Sequence, residues 1–223
     1  MSAIGSIMQT GNPKTGWGLW LQWVLASILG YGGGTTIGNA LANLIPQMTC
    51  SQSFSDSFIE RLTNFACIQP SLSLIVIVVI QGLAGGFMQW LVLRRRIAGA
   101  GWWIPASALG FPLALVIADK AMRLVGDFAA APILLGILFG VLSGAMPWLV
   151  LRRQNARAGW WLPAHLLGAL VGGALGIVAF HSAALMGLYQ FTWAAAGAMF
   201  GAGLGAVTGF MLIWLLNQSI SDG

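Results

Sequence analysis

The chain has 223 residues, of which 58% are hydrophobic and only 7% are charged, and its mean hydropathy is +0.84. This composition excludes a soluble globular domain and predicts a chain that lipid must solvate. The net charge of +5 comes mostly from two short basic clusters beside apolar runs, so we expect contact with membrane lipids and none with nucleic acid.

Six apolar runs follow one another, which predicts an all-α polytopic membrane protein with six transmembrane helices. The start of the chain lacks a basic n-region and a cleavage site, so we expect residues 1–16 to be a cytoplasmic segment and not a signal peptide. The GYGGG sequence at residues 30–34 predicts that the first run tilts, breaks or bends there. The predicted spans are about 17–45, 71–93, 102–125, 132–151, 160–182 and 188–216, and a cytoplasmic tail of residues 217–223 follows them.

The polar loop at residues 46–70 contains both cysteines of the chain, Cys50 and Cys67. A disulfide between them would need an oxidising compartment, so pairing predicts that this loop faces outward. Two unrelated thiols are the alternative. Lysines and arginines number seven on the side of the termini and three on the other side. The positive-inside rule then places both termini in the cytoplasm of a bacterial inner membrane, in agreement with an outward cysteine loop.

Residues 82–110 and 140–168 are two copies of one sequence, identical at eighteen of twenty-nine aligned positions. In each copy an apolar segment ends at arginines, a short turn follows, and a Trp-Trp pair opens the next apolar segment. This order is typical of two membrane helices joined by a basic turn at the water interface.

A third copy is predicted from both ends of the chain. A shift of sixty-five residues from the second copy superposes Gly205 and Gly209 on glycines and replaces the arginines by Asn217 and Gln218. The sequence from Trp23 to Gly30 matches the helix start that follows each Trp-Trp pair. We therefore expect three repeated helical hairpins.

Glycine recurs every four residues in five of the six predicted spans. At helical pitch these glycines share one face, which predicts close packing of helices. The alternative is a groove for a long lipophilic molecule, such as a carotenoid, a quinone tail or a lipid acyl chain. The candidate groove residues are Gly30, Gly34, Gly38, Gly82, Gly86, Gly136, Gly140, Gly144, Gly168, Gly172, Gly176, Gly201, Gly205 and Gly209.

Tryptophans and arginines cluster at the two basic turns. An aromatic belt at the membrane interface explains the tryptophans, and cytoplasmic anchoring explains the arginines, with anionic lipid or a partner subunit as the alternative contact. The predicted interface anchors are Trp90, Trp102, Trp103, Trp148, Trp160, Trp161, Arg94, Arg95, Arg152 and Arg153.

Catalytic motifs and metal-ligand patterns are absent from the sequence, so we expect no enzyme. His165 stands where the other repeats have Ser27 and Ser107, and it is a candidate chlorin ligand. A hydrogen-bonded structural histidine is the alternative that we favour. The middle of each span lacks ionisable residues, which disfavours ion transport. A pore for a neutral solute, lined by residues such as Gln81 and Gln89, is the remaining alternative.

The hairpin signature, WLVLRR followed by AGWW and a glycine-rich helix, resembles a loosely defined family of Gly- and Trp-rich repeat membrane proteins of cyanobacteria and green filamentous phototrophs. The resemblance covers most of the chain outside the cysteine loop and the termini. It implies a non-catalytic accessory subunit that packs against a photosynthetic reaction-centre or light-harvesting complex and holds carotenoid, with lipid or quinone as further ligands. A channel or carrier for a small neutral solute is the alternative expectation.

Overall fold

The computed structural model describes residues 16–45, 72–97, 99–125, 131–153 and 157–221. These residues form α-helices and short 3-10 turns without any strand, which confirms the predicted all-α class. The predicted disulfide between Cys50 and Cys67 lies outside the described residues. The helices are α1 Trp17–Ala42, α2 Leu72–Leu93, α3 Trp103–Val125, α4 Ala131–Leu151, α5 Trp161–Leu185 and α6 Thr192–Ser221.

Four helical stretches are long and apolar enough to cross a membrane. They are Leu72–Leu93, Ala100–Ala121, Ala158–Leu185 and Tyr189–Gln218. Many large apolar side chains on these helices are exposed on the outside of the protein, where lipid and not water would solvate them. The chain is therefore consistent with a helical membrane protein. α1 is long but less apolar, because glycine, threonine and asparagine occupy much of its second half.

The six helices close into a ring. Each helix packs against its neighbours in the chain, and α6 packs against α1. The starts of α1, α3 and α5 meet the ends of α2, α4 and α6 in one cluster of buried side chains, so neighbouring helices are antiparallel. We call this side of the ring the arginine end, because the basic turns after α2 and α4 lie there, and the opposite side the distal end.

Glycines allow α1 to pack closely against one helix on each of two sides. A Cβ on Gly30 would lie 2.7 Å from the Cα of Gly85 in α2, and a Cβ on Gly32 would lie 3.1 Å from the Cβ of Ala198 in α6. The helix runs without interruption through residues 30–34, so of the predicted tilt, break or bend the break is absent. The packing against two helices offsets the low helix propensity of glycine.

We call α2, α4 and α6, which end at the arginine end, the second-type helices, and α1, α3 and α5, which start there, the first-type helices. The contacts of the second-type helices determine the register of the third repeat. A Cβ on Gly86 would lie 2.8 Å from the Cβ of Ser107, and a Cβ on Gly205 would lie 2.8 Å from the Cβ of Ser27. Gly144 meets His165 in the same way. Gly205 is thus the counterpart of Gly144, at a shift of sixty-one residues.

The predicted shift of sixty-five residues is therefore wrong by one helical turn. A glycine ladder of period four superposes on itself after a shift of one turn, so the ladder alone does not determine the register. In the observed register the counterpart of Arg152 is Ile213 and not Asn217. α6 also continues through Ser221, beyond the predicted end of the last span at residue 216.

We expect Gly172→Ala to lower the thermal stability. A Cβ at this position would lie 2.5 Å from the carbonyl oxygen of Phe200 in α6, and overpacking of this kind costs about 1–3 kcal/mol. Gly173→Ala is the matched control, because a Cβ there meets nothing within 4 Å and alanine gains about 1 kcal/mol of helix propensity over glycine. Thermal unfolding in one detergent compares the two variants. A Tm for Gly172→Ala equal to or above that of Gly173→Ala would contradict this contact.

Candidate functional site

Three tryptophans fill the centre of the ring at the arginine end. Trp23, Trp103 and Trp161 are 0%, 1% and 1% exposed, and each contacts the other two. Their ring centroids are 5.8, 6.4 and 5.4 Å apart in edge-to-face geometry, which is a favoured arrangement of aromatic side chains. We call these three residues the tryptophan plug. Because Leu93, Leu151 and Leu212 pack in the same cluster, the ring is closed at this end.

Two of the three plug indoles donate a hydrogen bond to a side chain. The Nε1 of Trp103 donates to the Oε1 of Gln89 at 2.9 Å, and the Nε1 of Trp23 donates to the Oγ1 of Thr208 at 3.0 Å. The Nε2 of Gln89 also donates to the Oγ of Ser27 at 3.1 Å. Gln89 therefore links three helices, in surroundings where no bulk water competes for its bonds.

Trp161 lacks the equivalent acceptor. Its Nε1 is buried and has no hydrogen-bond partner within the described part of the chain. The counterpart of Gln89 and Thr208 at this position is Pro147, inside α4. Because the proline side chain accepts no hydrogen bond, one of the three plug positions retains an unsatisfied donor.

On the distal side of the plug, the helices surround a pocket of about 390 Å³ that is open to the outside, and we call it the distal cavity. The cavity follows from a difference in size between inward-facing residues. Tyr31 of α1 and Phe111 of α3 fill the interior and contact one another at 5.4 Å between ring centroids. Their counterpart in α5 is Ala169, and one turn further Gly173 lines the cavity. α1, α2, α5 and α6 form its wall, which is mostly apolar.

Three polar side chains line this distal cavity. The Oγ1 of Thr35 donates to the carbonyl oxygen of Tyr31 at 2.6 Å, and the Nδ1 of His181 lies 2.9 Å from the carbonyl oxygen of Ile177. Gln81 forms no side-chain hydrogen bond with any described residue. Its amide can therefore donate to or accept from a bound molecule.

The fourteen glycines predicted to line grooves lie in contacts between helices. A Cβ on any of them would come within 3.1 Å of an atom of an adjacent helix. Neighbouring helices thus occupy the space in front of these glycines, in agreement with close helix packing and not with an open groove. Gly176 also borders the distal cavity.

The two Trp-Trp pairs divide between the outer surface and the interior. Trp102 and Trp160 are 65% and 60% exposed at the arginine end, where we expect the membrane interface. Trp103 and Trp161 belong to the buried plug, so their predicted role as interface anchors is wrong. Adjacent residues of a helix point about 100° apart, so one member of each pair can face outward while the other faces the centre of the ring.

The remaining predicted anchors lie beside the basic turns. The guanidinium of Arg94 stacks over the ring of Trp90 at 5.6 Å, and that of Arg152 stacks over Trp148 at 5.1 Å. Such cation–π contacts fix the arginine heads at the level of the half-buried indoles. Arg95 and Arg153 are also exposed at this end, so all four arginines can reach lipid headgroups or a partner subunit.

His165 is 3% exposed between α4 and α5. Its Nδ1 lies 3.0 Å from the carbonyl oxygen of Gly140, and its ring packs 6.0 Å from the ring of Trp161. A chlorin would need open space beside the imidazole, so this position favours the hydrogen-bonded structural role. No group of three or more His, Cys, Asp or Glu within the described ranges could hold a metal ion.

Neither the plug nor the cavity was predicted from the sequence. A signal for the plug existed, because Trp23 aligns with the second tryptophan of each Trp-Trp pair. The signal for the cavity is weaker. It consists of Ala169 and Gly173 at positions where the other first-type helices, α1 and α3, have larger residues.

Comparison of the chain with protein-family models, with curated proteins and with solved structures finds no match. The resemblance to the repeat proteins of phototrophs therefore stays a prediction.

We expect Pro147→Gln to raise the thermal stability. Glutamine restores the backbone N–H that proline lacks inside α4 and offers Trp161 the amide oxygen that Gln89 offers Trp103. An unpaired buried donor costs about 1–3 kcal/mol, so the Tm in detergent should rise by several degrees.

Trp161→Phe provides the control, because phenylalanine keeps a ring at this position and removes the donor. In a double-mutant cycle, Pro147→Gln should stabilise the Trp161→Phe background less than the wild type by about 1 kcal/mol. Equal gains in the two backgrounds would show that the glutamine forms no bond with the indole.

Proposed function

We propose that this protein crosses the bacterial inner membrane six times as three repeated hairpins and binds a lipophilic molecule in the distal cavity. The equivalent glycine contacts of Gly86, Gly144 and Gly205 support the three units. α2 with α3 and α4 with α5 are two hairpins, and the third pairs α6 with α1 across the two ends of the chain. The observation that carries the binding function is the mostly apolar cavity inside the closed ring.

The distribution of charge supports a cytoplasmic arginine end. Six arginines lie at or beside the turns at this end, namely Arg94, Arg95, Arg96, Arg152, Arg153 and Arg157, whereas α3 carries Lys120 and Arg123 towards the distal end. α1 starts and α6 finishes at the arginine end, which supports the proposed placement of both termini on that side. Under the positive-inside rule the distal cavity then faces the periplasmic half of the membrane.

The size and wall of the cavity limit what it can hold. Its volume of about 390 Å³ lies near the lower end of the range of ~300–1,000 Å³ for ligand pockets. It fits the end group of a carotenoid or quinone, or part of an acyl chain, while the rest of a long molecule extends along the helices. The amide of Gln81 favours an end group with a hydroxyl or carbonyl oxygen.

The wider role that we propose is that of a non-catalytic accessory subunit in a photosynthetic membrane complex, with carotenoid as the bound molecule. The resemblance of the WLVLRR and AGWW motifs supports this role. The outer face of the ring carries apolar side chains, exposed tryptophans and arginines. These side chains are suited to contact with lipid and other integral membrane subunits.

Transport of a small neutral solute is the second candidate function. The tryptophan plug closes the path at the arginine end, so a carrier would have to move at least one plug residue. Trp161 is the one plug residue whose indole lacks a hydrogen bond to a described residue, and this observation favours the candidate.

The test of the binding function is extraction of bound molecules from the protein purified in mild detergent, with absorption spectroscopy and mass spectrometry. We expect about one lipophilic molecule per chain. Gly173→Phe should lower its content roughly tenfold, corresponding to ~1.4 kcal/mol, because the new ring fills the cavity. A Cβ at Gly173 meets nothing within 4 Å, so the fold should tolerate this change.

Gly33→Phe is the matched control, since Gly33 of α1 is also open but exposed and outside the cavity wall. It should retain the bound molecule at the wild-type level. Equal content in Gly173→Phe and Gly33→Phe would exclude the cavity as the site. A colourless wild type without any bound molecule, combined with solute flux into proteoliposomes, would support transport instead.

A further inference from the structure

Two of the three polar side chains that line the distal cavity can only accept hydrogen bonds from a ligand. The Oγ1 of Thr35 donates its only proton to the carbonyl oxygen of Tyr31 at 2.6 Å, so this oxygen is left as an acceptor. The Nδ1 of His181 lies 2.9 Å from the carbonyl oxygen of Ile177 and carries the proton, because a carbonyl oxygen only accepts. In the neutral imidazole Nε2 is then an acceptor too.

Thr35 is the buried acceptor of the cavity. Its side chain is 4% exposed, and its Oγ1 lies directly against Gly197 of α6, which also lines the cavity. A Cβ at residue 197 would collide with this oxygen. Glycine at this position therefore keeps the oxygen free of a covering side chain.

Gln81 lies beside Thr35 on the neighbouring helix. A Cβ on Gly34, the residue before Thr35, would lie 2.7 Å from the Cα of Gln81, so α1 and α2 place Thr35 and Gln81 at one level of the ring. The amide of Gln81 offers both a donor and an acceptor at this level.

His181 lies nearer the mouth of the cavity. It is four residues from the distal end of α5, or about 6 Å, whereas Gln81 is nine residues from the distal end of α2, or about 14 Å. A polar group that enters the cavity therefore meets Thr35 and Gln81 together, and His181 separately.

We propose that the distal cavity selects a lipophilic alcohol over the corresponding ketone or quinone. This inference rests on the proposed binding function and names the chemical class of its ligand. The ligand hydroxyl donates its proton to the Oγ1 of Thr35 and accepts from the amide of Gln81. A carbonyl oxygen has no proton, so it accepts from Gln81 alone and leaves the buried oxygen of Thr35 without a donor, which is unfavourable. A carotenoid with a hydroxylated end group meets this condition, and a quinone does not.

Isothermal titration calorimetry of the delipidated full chain in mild detergent tests this preference. The probes are β-ionol and β-ionone, which share one carbon skeleton and differ only in a hydroxyl or a ketone. We expect the alcohol to bind about fivefold more tightly, which corresponds to ~1 kcal/mol for one hydrogen bond. Thr35→Val keeps the shape of the side chain and removes the acceptor, so it should abolish the difference.

Thr36→Val is the matched control. The Oγ1 of Thr36 donates to the carbonyl oxygen of Gly32 at 2.8 Å, in the same way as that of Thr35 donates to Tyr31, but Thr36 does not line the cavity. This variant should therefore keep the fivefold preference. Thermal unfolding compares the stability of the two variants.

Two further variants test the other polar side chains. Gln81→Leu should weaken the binding of both probes, because each of them accepts from the amide. His181→Phe keeps a ring and removes the acceptor at the mouth, and it should retain the preference for the alcohol. The proposal is overturned if the wild type binds both probes equally, if Thr35→Val keeps the preference, or if His181→Phe removes it.

Gly173→Phe separates this result from a failure of the binding function. Both probes should lose affinity in this variant, because the new ring fills the cavity. Weaker binding here combined with an unchanged preference in Thr35→Val would overturn the selectivity alone. Wild-type affinity of Gly173→Phe for both probes would place them outside the cavity and overturn both proposals.

Discussion

The ring depends on the contact of glycine with the backbone or the short side chains of an adjacent helix. Lipid solvates apolar side chains as well as a protein interior does, so burial of leucine contributes little to the association of membrane helices. Close approach replaces it, through dispersion contacts that form when no Cβ separates the backbones. Gly30 against Gly85 and Gly205 against Ser27 show this contact on the two sides of α1. Without both, α1 could not join α2 to α6 and close the ring.

The closed ring consists of three similar units. The distal cavity and the missing acceptor for Trp161 occur where one unit differs from the others. Ala169 and Gly173 replace larger inward residues, and Gly173 lines the distal cavity. Pro147 replaces a hydrogen-bond acceptor and leaves the indole of Trp161 without a partner among the described residues. All three changes belong to α4 and α5, so these departures inside the ring come from one hairpin. A ring with three identical units would have a fully packed interior and a fully bonded plug.

The sequence predicted local features better than it predicted their partners. Helix positions, the basic turns and the duplication follow from runs of residues that are close in the chain. The tryptophan pairs show the limit: Trp102 lies at the surface as expected, but Trp103 turns into the ring. Hydropathy does not distinguish the lipid-facing side of an apolar helix from its protein-facing side, because both sides are apolar. The glycine ladders were equally ambiguous, since packing and an open groove require the same small residue.

The sequence by itself determined a helical membrane protein with a duplicated hairpin, because charge, hydropathy and repeat identity are properties of neighbouring residues. Tertiary structure decided the ring closure, the one-turn correction of the third repeat, the tryptophan plug and the distal cavity. Each of these depends on which residues of different helices meet. Gly201 and Gly205 match earlier glycines in more than one register, and only their contacts with Ser27 select the observed one. The cavity likewise depends on contacts between helices, because Gly173 lines it from α5 beside the interior that Tyr31 and Phe111 fill from other helices.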